Sequence, residues 1–308
     1  MNYIEKYLFV ICLLIGLSGI SIANGLSAEG SDQEEVVDVF ILAGQSNAVG
    51  YNNINTYTPT PFPETLRSQP EVMFWPGSNA AEEFKNQWIH LRVGASYVGK
   101  HSFGPEIGFG KATTAGNPQR KIAILKYAVG GTGIARSADY DDFIPQCKDF
   151  NDKGKNWYPG ADKKSSGVLY QNLIENITKG LNDLKKHGIS FRVAGFIWMQ
   201  GEHEAGLSLK MAKDYELLLT NFIDQVRFYL ENDELPVVIG QVSDKWCYKN
   251  IVQTAQFNVC AQDPFASLVV TKDLPRTPTD DAHYTANGMV MLGNRFAKAM
   301  HGLISSGK

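Results

Sequence analysis

Ser46 closes the apolar, β-branched run Val36-Val37-Asp38-Val39-Phe40-Ile41-Leu42-Ala43 and follows Gly44-Gln45. A serine hydroxyl at the carboxyl end of a strand is well placed to attack a carbonyl carbon, provided that a base takes its proton. The chain has six histidines, and only His283 has a carboxylate three residues before it in a loop ahead of a helical pattern. Asp280 could bond that ring and hold the tautomer that accepts the serine proton, with Asp281 competing for the role. The chemistry of such a set is ester hydrolysis through an acyl-serine. Each residue also has a structural alternative: Ser46 as the cap of the next helix, and Asp280, Asp281 and Thr285 as caps of the last one.

Acyl transfer needs donors for the developing oxyanion. The run Ala128-Val129-Gly130-Gly131-Thr132-Gly133 offers backbone N–H groups at Gly130 and Gly131. No Gly-Lys-Ser/Thr follows it, which argues against a phosphate cradle. In Trp198-Met199-Gln200-Gly201-Glu202-His203-Glu204, the Gln200 side-chain amide is expected to point at the same place. Gln45 and Asn47 flank the serine and, with Glu202, are the supporting residues. Glu202 is expected to fix its loop through buried hydrogen bonds to neighbouring backbone, and His203 reads as a solvated or packing residue. Adjacent residues at a helix start point in different directions, and no His-Glu-x-x-His spacing exists, so Glu202, His203 and Glu204 do not read as a metal site.

The strands that would carry these segments are 36–43, 121–128, 193–199, 236–242 and 266–271. Each is rich in consecutive Val, Ile, Leu or Phe, as strands covered on both faces are. Leu169, Leu173, Ile177, Leu181 and Leu184 recur at helical spacing, with Gly188 where a C-terminal cap belongs. Met211, Tyr215, Leu218, Leu219, Phe222 and Val226 form a second stripe, and Met289, Leu292, Phe296 and Ala299 or Met300 a third. Strands alternating with helices predict an α/β fold, a five-stranded, mainly parallel sheet between two helical layers. Segments 51–101 and 136–167 carry no sustained period and read as long loops on the active-site side.

The chain has 308 residues, enough for one large α/β domain. A formal charge of −3 gives no basic footprint for nucleic acid. At the N-terminus Lys6 precedes an apolar run, Tyr7 to Ile22, and Ser21-Ile22-Ala23 fits a small-x-small cleavage site. Residues 1–23 therefore read as a signal peptide, with cleavage as late as residue 28, followed by a polar leader at 24–35 and one domain at 36–308. The expected location is secreted or periplasmic, without stable membrane insertion after cleavage. Of the remaining cysteines, Cys147, Cys247 and Cys260, the second and third could close a short disulfide loop.

With these residues assembled, the chain resembles the SGNH hydrolase superfamily, and within it the carbohydrate esterases of family six and the sialate O-acetylesterase domain. Four segments carry the resemblance: FILAGQSNAVG at 40–50, AVGGTG at 128–133, FIWMQGEHEA at 196–205 and DDAHYTANGMVMLGNRFA at 280–297. The resemblance implies a flavodoxin-like α/β/α sandwich. It implies Ser46 as nucleophile, His283 as base and Asp280 as its partner. It also implies an oxyanion hole from the Ser46 N–H, Gly130 or Gly131, and Gln200. The implied activity is removal of acetyl groups from sugar hydroxyls, with no metal or cofactor. The branch often has Ser-Asp where this chain has His203-Glu204, a departure that bears on substrate detail. Acetylated xylan or a related polysaccharide is the expected substrate. Sialate O-acetyl esters, short-chain lipid or aryl esters, and sugar binding on a catalytically dead scaffold are the alternatives. Tyr51, Tyr57, Trp75, Trp88, Tyr140, Trp157, Tyr158 and Trp246 are the candidates for stacking on sugar rings.

Overall fold

The computed structural model describes residues 36–307 except 53, 97, 117 and 118. The signal-peptide and leader segments lie outside the described residues. The strands are β1 (Val37–Gly44), β2 (Ser68–Trp75), β3 (Ile89–Arg92), β4 (Ile122–Ala128), β5 (Phe191–Met199), β6 (Val237–Gly240) and β7 (Ala266–Val269). They form one sheet of seven strands in the order β3-β2-β4-β1-β5-β6-β7, parallel except for the antiparallel β2–β3 pair. The five expected strands are all present, and the expected count is corrected to seven. The two additions fall inside the segment read as a loop. In β2, Gln69, Pro70 and Glu71 interrupt the apolar run, and β3 has only four residues at the sheet edge.

β1 shows why the sheet is covered on both sides. Phe40 and Leu42 enter one core with Ile107 and Phe109 of α3 (Glu106–Gly116) and Met289, Leu292 and Phe296 of α8 (Ala286–Ser305). Val39, Ile41 and Ala43 enter the other core, with Leu173 and Ile177 of α4 (Val168–Lys186), Leu219 and Phe222 of α6 (Leu209–Tyr229), and Val252 of α7 (Lys249–Gln262). The two-residue period of the strand thus divides one apolar run between two helical layers. Among the described residues no helix is long and apolar enough to cross a membrane.

The strand order also brings the chemistry together. β1 lies between β4 and β5, and its last residue, Gly44, pairs with Ala128 on one side and Met199 on the other. The segments after Gly44, Ala128 and Met199 therefore leave the sheet side by side, at its carboxyl edge.

Candidate active site

Gly44 makes the exit from β1 possible. Its φ is +140°, and a Cβ there would lie 2.1 Å from the Met199 carbonyl oxygen, so only glycine fits. Gln45 donates its backbone N–H to that same carbonyl at 2.9 Å, and the short helix α1 (Ser46–Val49) begins at once. Gln45 holds the cap position without a side-chain bond, so Ser46 is the first residue inside the turn and not its cap. The Ser46 N–H at this position has no intrahelical acceptor. The far end of the turn is anchored from below. Lys126 Nζ donates to the Val49 carbonyl at 2.9 Å and to Glu106 Oε2 at 2.7 Å, while Glu106 Oε1 accepts from Gly104 N at 2.8 Å.

His283 sits on a loop that folds on itself before α8. Asp280 Oδ2 lies 2.6 Å from His283 Nδ1, and Oδ1 accepts from the Thr277 hydroxyl and from the backbone N–H groups of Ala282 and His283 at 2.6, 2.9 and 3.0 Å. Burial pushes the Asp280 carboxyl up. The bonds from Thr277, the His283 ring and the two backbone N–H groups outweigh it and hold the carboxyl well below the usual range. Asp280 is thus an anion bonded to the Nδ1 side of the His283 ring. Asp281 instead accepts from Arg276 Nε at 2.7 Å, and Thr285 caps α8 by accepting from Gly288 N at 3.2 Å. Asp280, and not Asp281, meets the His283 ring, while the cap expected of Thr285 is present at α8.

Asn47 joins the two halves. Its Nδ2 donates to Glu202 Oε1 and to the Ala282 carbonyl, both at 3.0 Å, and its Oδ1 accepts from Tyr284 N at 3.4 Å. The residue beside the serine therefore holds the backbone on either side of the histidine. Ser46 and His283 line one cavity of about 500 Å³, together with Gly130, Gly131, Glu202, His203 and Trp246. Glu202 begins α5 (Glu202–Leu207), fully enclosed, with burial raising its pKa against the amides of Asn47 and Gln45. Its hydrogen-bond donors are the Asn47 side chain and, as expected from the sequence, backbone N–H at Glu202 itself.

Gln200 needs the larger correction. It is fully buried, absent from the cavity wall, and its amide is already committed. Nε2 donates to the Thr132 carbonyl at 3.1 Å and to Glu204 Oε2 at 2.6 Å, and Oε1 accepts from the Tyr215 hydroxyl at 3.0 Å. Glu204 Oε1 in turn accepts from the backbone N–H groups of Ile134 and Ala135 at 2.5 and 3.1 Å. Gln200 and Glu204 thus shape the glycine loop from behind, while Gly130 and Gly131 face the cavity. Ser46 and that loop reach the cavity, while Gln200 does not. No feature of the sequence separates Glu204 from its polar neighbours; its role comes from the placing of β4 and β5 on either side of β1.

The rest of the cavity wall includes Tyr51, Ile144, Cys147 and Leu207, drawn from the two irregular segments and from α5. Of the aromatic candidates, Tyr51 and Trp246 line it. Trp75 and Trp157 are core residues, Trp88 packs on Trp75, Tyr57 packs on Phe62, Tyr140 bonds Asp214 and Tyr158 lies under the Arg136 guanidinium. Cys147, Cys247 and Cys260 are all free, so Cys247 and Cys260 do not pair. Among the described residues no three His, Cys, Asp or Glu side chains are grouped so as to hold a metal ion.

A family model described as carbohydrate esterase, sialic acid-specific acetylesterase, matches residues 36–302. Among solved structures, the chain is similar to a protein from Arabidopsis thaliana, at 19% identity and a TM-score of 0.63, over 86% of this chain and 98% of that one. It is also similar to a carbohydrate acetylesterase from Xanthomonas citri, at 20% identity and a TM-score of 0.58, over 87% of this chain and 56% of that one. A third similar structure, NanS, aligns at 16% identity and a TM-score of 0.59, over 89% of this chain and 99% of that one. At these identities the structural likeness establishes the fold. No curated protein sequence matches the chain.

Proposed function

From the premise that the chain belongs to the sialic acid-specific acetylesterase family of carbohydrate esterases, and so is a carbohydrate O-acetylesterase, we propose that it works through Ser46, His283 and Asp280 on acetylated neutral polysaccharide. The reading rests on one observation above the others: Ser46 and His283 share a cavity wall while the Asp280 carboxylate holds the far side of the imidazole.

In the first step His283 Nε2 takes the Ser46 proton as Oγ bonds to the acetyl carbonyl carbon. The oxyanion settles against backbone N–H groups of Ser46 and the Gly130-Gly131 loop. The tetrahedral species collapses, the carbon–oxygen bond to the sugar breaks, and the imidazolium gives its proton to the departing sugar oxygen. Water, deprotonated by His283, then attacks the acetyl-serine, and acetate leaves as Ser46 recovers its proton.

The cavity lining favours a neutral sugar, because it contains no Lys or Arg. Lys245 stands over the Trp246 ring at 5.5 Å and donates to the Asp280 carbonyl. A sialic acid carboxylate would meet no lining cation in this wall. The family description favours the second reading, an O-acetylated sialic acid. Acetate release from acetylated xylan and from O-acetylated sialic acid decides between them: the neutral-sugar reading expects the higher kcat/KM on xylan, and the reverse order overturns it. Ser46→Ala should abolish release from either without changing Tm, and unchanged activity would remove Ser46 from the mechanism. The reading extends to export, on the strength of Lys6 and the apolar run after it; a mature protein beginning between residues 24 and 29 in the extracellular or periplasmic fraction is its test.

A further inference from the structure

His203 lies in the same wall as Ser46 and His283, yet no step of the proposed mechanism uses it. Its ring is held firmly. It packs edge-on to Phe150 at 5.0 Å between centroids, and a Cβ on Gly133 would come within 2.4 Å of its Cδ2, so glycine at 133 is what lets the loop close on the ring. The Gly131 backbone beside the ring favours its protonated form. Burial nevertheless lowers the pKa of His203 below the ordinary histidine value, which leaves the ring neutral near pH 7.

A neutral imidazole has one N–H and one bare nitrogen. Whichever nitrogen carries the proton, the bare one is an acceptor, and the ring stands in the cavity wall. The wall also contains the apolar side chains of Ile144 and Leu207 and the Trp246 ring. A ligand that fits must offer a hydroxyl at one point and a hydrocarbon face elsewhere, which is the chemistry of a pyranose or furanose ring.

We propose that His203 is a specificity-determining residue that accepts a hydrogen bond from a free hydroxyl of the acetyl-bearing sugar, so that the site discriminates partly acetylated sugars from simple acetate esters. This rests on the deacetylase reading given above and adds to it the group that recognises the sugar.

The experiment compares acetate release from an acetylated xylo-oligosaccharide with hydrolysis of nitrophenyl acetate, which has no sugar hydroxyl. The variants are His203→Phe, which keeps the ring and removes both nitrogens, and His203→Gln, which keeps an acceptor. Loss of one hydrogen bond to a buried hydroxyl predicts about a tenfold fall in kcat/KM on the oligosaccharide for His203→Phe, carried mainly by KM, and less than about a threefold change on nitrophenyl acetate. His203→Gln should recover part of the loss on the oligosaccharide. Parallel losses on both substrates would overturn the proposal by making His203 a support of the Gly131 loop, and an unchanged oligosaccharide reaction would overturn it outright. If His203→Phe does not fold, His203→Ala takes its place in the same comparison. A wild-type enzyme active on nitrophenyl acetate but inert on every acetylated sugar would instead overturn the deacetylase reading itself.

Discussion

Asn47→Ala is the perturbation that most sharply probes how the serine and histidine segments are held together. Asn47 is 1% exposed and does not line the cavity, so its loss should not touch bound substrate. It removes two donated bonds of 3.0 Å, to Glu202 and the Ala282 carbonyl, and one longer accepted bond of 3.4 Å, from Tyr284 N. A buried group left unpaired costs roughly 1–3 kcal/mol. Water admitted to the vacated space would restore part of this, so the expected loss of stability is about 2–4 kcal/mol. The effect on rate has a separate origin. Ala282 and Tyr284 flank His283, and a displacement of the base by about 1 Å costs on the order of a hundredfold in rate. Asn47→Ala is therefore expected to lower kcat on nitrophenyl acetate by about a hundredfold and to leave KM within about threefold of wild type. Urea unfolding measures the first quantity and steady-state kinetics the second. A destabilised variant whose kcat stays within about threefold of wild type would refute the reasoning. It would mean that the His283 loop is held by its own bonds, among them Thr277 N to the His283 carbonyl at 2.8 Å.

Two further perturbations test neighbouring parts of the site. Asp280→Asn should lower kcat by about 10³–10⁴-fold, because an amide in this place no longer imposes the correct imidazole tautomer; kinetics at constant fold, checked by circular dichroism, measures it. The Asp280 carboxyl is held below its ordinary range, so its contribution to stability is complete above that range and fades as pH falls toward the folded value. The Tm difference between wild type and Asp280→Asn should accordingly narrow below about pH 5 in a thermal-unfolding series. Gln200→Ala should cost about 2–3 kcal/mol and quicken hydrogen exchange at Ile134 and Ala135, with a kcat loss smaller than the roughly hundredfold that removal of a direct oxyanion donor brings.

The sequence states the central sheet plainly, because β1, β4, β5 and β6 are rich in apolar residues and largely buried on both faces, and the half-buried edge strand β7 is still mostly apolar. β2 is hidden by Pro70 and its polar neighbours, and β3 is too short to carry a period; β2 takes its place by pairing with β4, a contact distant in sequence, and β3 by pairing with β2. In the site, Asp280 and His283 are legible because a three-residue spacing suffices to bring carboxylate to ring. The role of Gln200 is not legible in the same way. An amide at the end of β5 can face the cavity or the loop behind it, and the choice is made by Tyr215, Glu204 and Thr132, which arrive from three other segments. Aromatic residues in irregular segments are equally ambiguous, and most of those in this chain pack into the core or against neighbouring side chains.

The measurement closest to the central claim is peptide mass mapping of enzyme mixed with nitrophenyl acetate and quenched in acid during turnover. The account predicts one acetyl group on the peptide that contains Ser46, absent from Ser46→Ala, and slower to form in His283→Ala. An acetyl group captured on another side chain, or turnover by Ser46→Ala at the wild-type rate, would contradict it.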